Sequence, residues 1–294
     1  MKRRTVCRAS GLRRGAALAV GLLLAAGCGS SPGTEGAGGT GAVTTTVTTV
    51  TTAVDRPTGA GDVVIQVMDS GGLQVIEEKV ATVPRATVLG DGTLITPAPR
   101  DAAYPGPALA PLQAVKLSGG DVDGLVRRAG ELGLLRERLT YGQPGLADAS
   151  ATEVTITVRG ITYRQQAYDL TEEYNVLGAD LDHRRALRSF VDAVTASRAG
   201  AVPWTPTAVA VYQVDRYTVD PDRKLGPPVS WPAGRLPTLT PPTAATQPCV
   251  TVEGPELATL LPLLAKATAI TTWSASGATR YLAFRPILPG QPRC

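Results

Sequence analysis

Hydrophobic and polar residues alternate strictly through Val154-Thr155-Ile156-Thr157-Val158, the period of a strand with one face buried. Gly160 interrupts the pattern and Ile161 to Leu170 resumes it, which predicts a partner strand. Two hairpins are expected earlier in the chain. Val63-Val64-Ile65-Gln66-Val67-Met68 and Leu73-Gln74-Val75-Ile76 flank Ser70-Gly71-Gly72, whose glycines accept positive φ. Val88-Leu89 and Leu94-Ile95 flank Gly90-Asp91-Gly92-Thr93, an Asp-Gly turn between apolar arms. Further strands are predicted over Ala208 to Val219, Cys249 to Val252, Ile270 to Trp273 and Tyr281 to Phe284.

Three segments carry the helical period instead. Asp121 is placed to cap a helix whose stripe is Val122, Leu125, Val126, Ala129 and Leu132, with Gly133 closing it. A second helix puts Leu187, Phe190, Val191 and Val194 on one face and Arg184, Arg185, Arg188 and Asp192 elsewhere. A third begins at Pro255, turns Leu257, Leu260, Leu261, Leu264 and Ala265 inward, and contains Pro262, where a kink is expected. Together these predict an α+β fold of antiparallel sheets with helices packed on one face. Ala114 to Gly119 leads into the first helix much as Cys249 to Gly254 leads into the third. Two related tandem α+β units, with a sub-boundary near 171–200, would account for that likeness.

The N-terminus is of another kind. Arg13-Arg14 precede an apolar run of eleven residues from Ala16 to Ala26, about half the ~20 that a spanning helix needs. The run ends in Leu24-Ala25-Ala26-Gly27-Cys28, the layout of a bacterial lipoprotein signal. Residues 1–27 are therefore expected to be cleaved, leaving Cys28 as a lipidated first residue and anchoring the protein to the extracytoplasmic face of the cell membrane. Residues 28–61, rich in Gly and Thr and free of aromatic side chains, read as a flexible tether. Its threonines suit O-glycosylation. Residues 62–294 form the ectodomain.

Removing the signal changes the electrostatic picture. The net charge of +4 becomes −2, because residues 1–27 hold six basic groups and no acid. The remaining surface has no electrostatic footprint for nucleic acid, so the expected partners are the membrane, through the lipid, and a protein or cell-wall component of the envelope. Cys7 leaves with the signal and Cys28 takes the lipid. Cys249 and Cys294 remain and are expected to pair outside the cell, closing a 45-residue separation worth at most about 4 kcal/mol in the chain-entropy treatment.

Catalytic chemistry has few carriers. His183, the single histidine, stands among Asp180, Asp182, Arg184 and Arg185 and reads as a solvated surface residue; no Gly-x-Ser-x-Gly motif accompanies it. Asp169, Glu172 and Glu173 with Asp180 and Asp182 lack the alternating loop of a calcium site and read as solvated edges. Gly90-Asp91-Gly92 lacks the helix start of a phosphate loop and reads as a tight turn. Trp204, Trp231 and Trp273 read as core anchors. No catalytic residue, metal site or cofactor is expected, and the protein is read as non-enzymatic.

The lipobox, the Thr-rich tether and the closing Arg285-Pro286-Ile287-Leu288-Pro289 before Cys294 resemble the lipoproteins of high-GC Gram-positive bacteria. That resemblance implies a surface location and brings no activity or site residue. Residues 63–135, with Ser70-Gly71-Gly72 between strands and a helix over Val122 to Leu132, are similar to proteinase-inhibitor domains of the emfourin type. An alternative function as a proteinase inhibitor follows from that similarity. A hydrolase using carboxylates alone, through Asp169, Glu172 and Glu173, is the remaining alternative.

Overall fold

The computed structural model of the chain describes residues 54–99, 104–137, 139–214, 226–234, 236 and 248–294. The expected signal, Cys28, the tether up to residue 53 and the end of the strand predicted over Ala208 to Val219 lie outside the described residues.

β1 (Val63–Gly71) buries Val64, Ile65 and Val67 completely, because it has a strand on either side: β2 (Ala86–Leu89) and β5 (Ser150–Val158), both antiparallel to it. β3 (Thr93–Pro97) and β4 (Leu112–Lys116) extend the sheet beyond β2. β6 (Ile161–Tyr168) and β7 (Val202–Trp204) form its two edges, completing seven strands in the order β6-β5-β1-β2-β3-β4-β7.

A second sheet comprises β8 (Ala208–Val214), β9 (Val229–Ser230), β10 (Cys249–Glu253), β11 (Thr272–Ala275) and β12 (Ala278–Pro286), in the order β10-β8-β12-β11-β9. All its pairs are antiparallel except β9 with β11, which run parallel. The fold is thus the α+β arrangement that the two periodicities imply.

The Asp-Gly hairpin forms as expected, with Val88 opposite Leu94. Gly92, at φ +88°, donates to the Leu89 carbonyl at 2.9 Å, and a Cβ there would lie 2.4 Å from the Leu117 carbonyl oxygen. Only glycine fits that corner. The earlier hairpin does not form. β1 runs on to Gly71, and the apolar residues after it leave the sheet: Leu73 and Val75 are exposed, and α1 (Ile76–Ala81) follows. β1 takes its partners from β2 and β5 instead, so Leu73 to Ile76 has no edge to pair with.

The three predicted helices are present as α2 (Gly119–Glu131), α3 (Gly178–Thr195) and α4 (Gly254–Leu264). Ser118, not Asp121, is the N-cap of α2. Its hydroxyl accepts from the Asp121 N–H at 3.1 Å while the Asp121 carboxylate accepts from the Ser118 N–H at 3.0 Å, a reciprocal capping box. α4 is assigned as one helix through Pro262, which faces outward, and Ala265 beyond it is exposed.

α2 and α3 bury their stripes against β1 and β5, whose Val154, Ile156 and Val158 supply the facing side chains. α4 covers one face of the second sheet. There Trp231, Trp273 and Phe284 meet, with ring centroids 5.3 to 6.5 Å apart. Trp204 is half-buried on the other face of the first sheet, beside Leu89, Ile95 and Leu112.

Tandem units are not seen. α1 lies against β8 and β12 of the second sheet, and Ala108, from the segment before β4, is buried in the cluster under α4. Ile287 packs on Ala208 and Ala210 whereas the next residue, Leu288, packs on Leu89, Ile95 and Leu112. The C-terminal tail therefore lies between the two sheets, and the described residues fall within one compact unit.

The folded body also begins earlier than composition suggests. Val54 packs on the first core, and Arg56, its side chain 8% exposed, pairs with Asp123 at 2.7 Å and donates to the Gly90 carbonyl at 2.8 Å. Residues 54–61, read from composition as tether, belong to the domain.

Candidate functional site

Three loops meet at one end of the first sheet because β1, β5 and β6 are neighbours. Gly71 at the end of β1 stands opposite Ser150 at the start of β5, and Ala151 stands opposite Tyr168 at the end of β6. With strands about 4.8 Å apart, the loops that follow β1, precede β5 and follow β6 leave the sheet within about 10 Å of one another.

Backbone bonds tie them together. The Leu73 N–H donates to the Asp148 carbonyl at 3.0 Å and the Asp169 N–H to the Ser150 carbonyl at 2.8 Å. Gly71 and Gly72, both at φ between +74° and +79°, turn the chain here, and a Cβ on Gly72 would lie 3.2 Å from the Ser150 nitrogen. The Tyr168 hydroxyl accepts from the Ala149 N–H at 2.8 Å and donates to the Leu146 carbonyl at 3.1 Å.

Arg184 holds the rest from below. Although charged, it is 1% exposed, and its guanidinium donates to the carbonyls of Tyr141, Tyr168 and Asp169. The expectation that it lies away from the buried face is corrected. Arg184 precedes Leu187 by three residues and shares its side of α3, and loop carbonyls take up its two terminal nitrogens there while Nε has no partner. Burial lowers its pKa, and the carboxylates of Asp169, Glu173 and Glu172 oppose that shift.

Beside it, Tyr141 donates to Gln165 Oε1 at 2.7 Å, while Gln165 Nε2 donates to the carbonyls of Leu134 and Arg136, each at 2.8 Å. Burial pushes the Tyr141 phenol well above its ordinary range. Apart from Arg184 Nε, which is buried without a hydrogen-bond partner, the layer is bonded within itself and to the loop carbonyls, and it holds the loops above it.

The residues singled out from sequence gather here. His183 is half-buried: its Nδ1 is 2.8 Å from the Thr140 carbonyl, so Nδ1 carries the proton, and its ring meets Tyr141 edge-on at 6.1 Å. It is a fixed strut, not a freely solvated side chain. Asp180 accepts from the Thr140 hydroxyl at 2.5 Å. Glu172 accepts from the N–H groups of Glu173 and Tyr174 at 2.9 and 2.8 Å, shaping its own loop. Glu173 pairs with Arg185 at 2.8 Å, and that hydrogen bond is the main cause of its lowered pKa. Asp169, at φ 44°, and Asp182 complete the group. Among the described residues, no three His, Cys, Asp or Glu side chains converge as a metal-binding group.

Sequence reasoning missed the apolar part of this end. Leu73 is 86% exposed, Leu177 81% and Tyr174 67%, with Leu146 and Val75 close to half exposed. These are five of the eight strongly exposed large hydrophobic residues among the described ones, and all five stand in these loops. In sequence, Leu73 and Val75 look like inward residues of a strand; only the absence of a partner strand turns them out.

In the second sheet, Cys249, at the start of edge strand β10, lies at disulfide distance from Cys294, their Cα atoms 5.6 Å apart. Arg285 fixes the intervening tail by donating to the Tyr212 hydroxyl at 3.0 Å and to the Pro292 carbonyl at 3.1 Å. No helix among the described residues is long and apolar enough to cross a membrane. Compared with protein-family models, with curated proteins and with solved structures, the chain has no match.

Proposed function

We propose that the protein is a cell-surface lipoprotein, held to the extracytoplasmic face of the cell membrane by a lipid on Cys28, whose non-enzymatic ectodomain binds an envelope partner through the three loops at the end of β1, β5 and β6. The observation that carries this reading is the gathering of Leu73, Val75, Leu146, Tyr174 and Leu177 at one end of one sheet. Single exposed apolar residues are ordinary on a protein surface, but several on loops held by buried hydrogen bonds mark a surface that is covered in use. The rigidity lowers the ordering cost of association.

Native electrophoresis of the full protein, gently extracted from its own envelope, tests the reading. A complex larger than the free chain is expected, and Leu73→Ser with Leu177→Ser is expected to release the chain from it. Both side chains point to water, so the thermal melting of the double variant stays within about 1 kcal/mol of the parent. A parent that migrates as the free chain, or a double variant that stays in the complex, contradicts the proposal. Labelling with palmitate, lost in Cys28→Ala, checks the anchor separately.

A further inference from the structure

Resting on that reading, we infer that the partner seats a basic, apolar polypeptide segment on this end of the domain. The three loops, residues 71–75, 142–149 and 169–177, contain Asp148, Asp169, Glu172 and Glu173 and no Lys, Arg or His. The nearest cations offset them only in part. Arg184 is buried beneath the loops with its guanidinium turned to carbonyls, and Arg185 neutralises Glu173, which Arg188 also faces, so that Asp148, Asp169 and Glu172 keep the surface acidic. Asp180 and Asp182, in the first turns of α3, add to the same sign, and His183 is anchored to the Thr140 carbonyl. On the other flank, Arg85 faces Asp69 at 3.9 Å, and Glu78 and Lys79 of α1 cancel each other.

Exposed Leu, Val and Tyr side chains framed by carboxylates match a segment that alternates bulky apolar residues with Lys or Arg. The same charges count against an anionic lipid surface or a nucleic acid, which they repel within a Debye length of about 8 Å. Position agrees. The Asp55 carbonyl accepts from the Arg159 N–H at 2.8 Å, so the chain enters the domain beside the turn that joins β5 to β6. β5 is nine residues long, which puts that entry roughly 27 Å from the loops. The surface thus faces away from the point where the anchored segment joins.

The test is photocrosslinking in the native envelope. Benzoylphenylalanine replaces Leu73 in one full-length variant and Leu177 in another, and the peptide captured by each is sequenced. The expected peptide has net positive charge with interspersed Leu, Ile, Val or aromatic residues. Its yield falls several-fold in Asp148→Asn/Asp169→Asn/Glu173→Gln and falls in the parent as salt is raised. Should the triple variant fold poorly, Asp148→Asn alone gives the same direction with a smaller drop; the Asp148 side chain makes no hydrogen bond among the described residues, and Asn tolerates its φ of 60°.

A captured peptide that is neutral or acidic, a lipid adduct, or a yield indifferent to neutralisation and salt overturns the inference and leaves the binding surface in place. No adduct from either position overturns the binding surface itself, and the inference with it.

Discussion

Arg184→Leu separates a structural charge from a functional one. The substitution takes donors from the carbonyls of Tyr141, Tyr168 and Asp169. At roughly 1 kcal/mol or more for each, the variant is expected to lose about 3 kcal/mol, or roughly 6 to 12 °C in melting temperature. Thermal denaturation reads this directly, and an unchanged melt would show that the loops are held by other means. The sequence contained half of this result. Arg184 is in phase with Leu187, Val191 and Val194 on α3, so periodicity alone would have buried it. Formal charge argues the other way, and the carbonyls that receive the guanidinium come from segments distant in sequence, which no local pattern records.

At the scale of single elements, local chemistry was legible wherever it sufficed. Strict alternation through Val154 to Val158, the Asp-Gly corner and the three amphipathic stripes all gave the element found. α1 was hidden because six residues are too few to display a period, and the strand assigned over Leu73 to Ile76 failed because strand character needs a neighbouring edge.

The cap of α2 supports a prediction in pH. The Asp121 carboxyl is lowered chiefly by the Ser118 hydroxyl and then by the Ser118 N–H. Asp91 is lowered chiefly by its hydrogen bond to Lys116 at 2.7 Å, and Glu173 by Arg185. Carboxyls depressed in the folded state stabilise it above their unfolded values, 3.8 for Asp and 4.5 for Glu, and that contribution is lost as pH falls through the folded values. Melting temperature is therefore expected to be level above about pH 5 on this count and to drop below pH 4. Ser118→Ala is expected to cost about 1 kcal/mol at neutral pH and to make the acid decline shallower. A variant whose acid decline parallels the parent's would deny the capping box its part. These pairs are largely exposed, so added salt mutes the effect.

The whole molecule depends on partners far apart in the chain, and this was least legible. β1 finds β5 more than eighty residues later, α1 crosses to the second sheet, and the last residues return between the sheets to meet β10. Cysteine count and compartment identified the Cys249 and Cys294 pair, yet nothing local showed that the tail they secure joins two sheets. Reduction, or replacement of both cysteines by Ser, is expected to lower stability by up to about 4 kcal/mol. Added reductant should leave the melt of the double variant unchanged; a parent equally indifferent to reductant would show that the two thiols are not bridged.

The surface at the end of β1, β5 and β6 is the proposed binding surface, and hydrogen exchange reads that surface without altering a residue. The amides of residues 71–75, 142–149 and 169–177 are expected to exchange more slowly in the envelope-bound complex than in the purified chain, with α4 and the second sheet unchanged. Equal exchange in those three loops, or shielding confined to the face of α4, would place the contact elsewhere and contradict the proposed role.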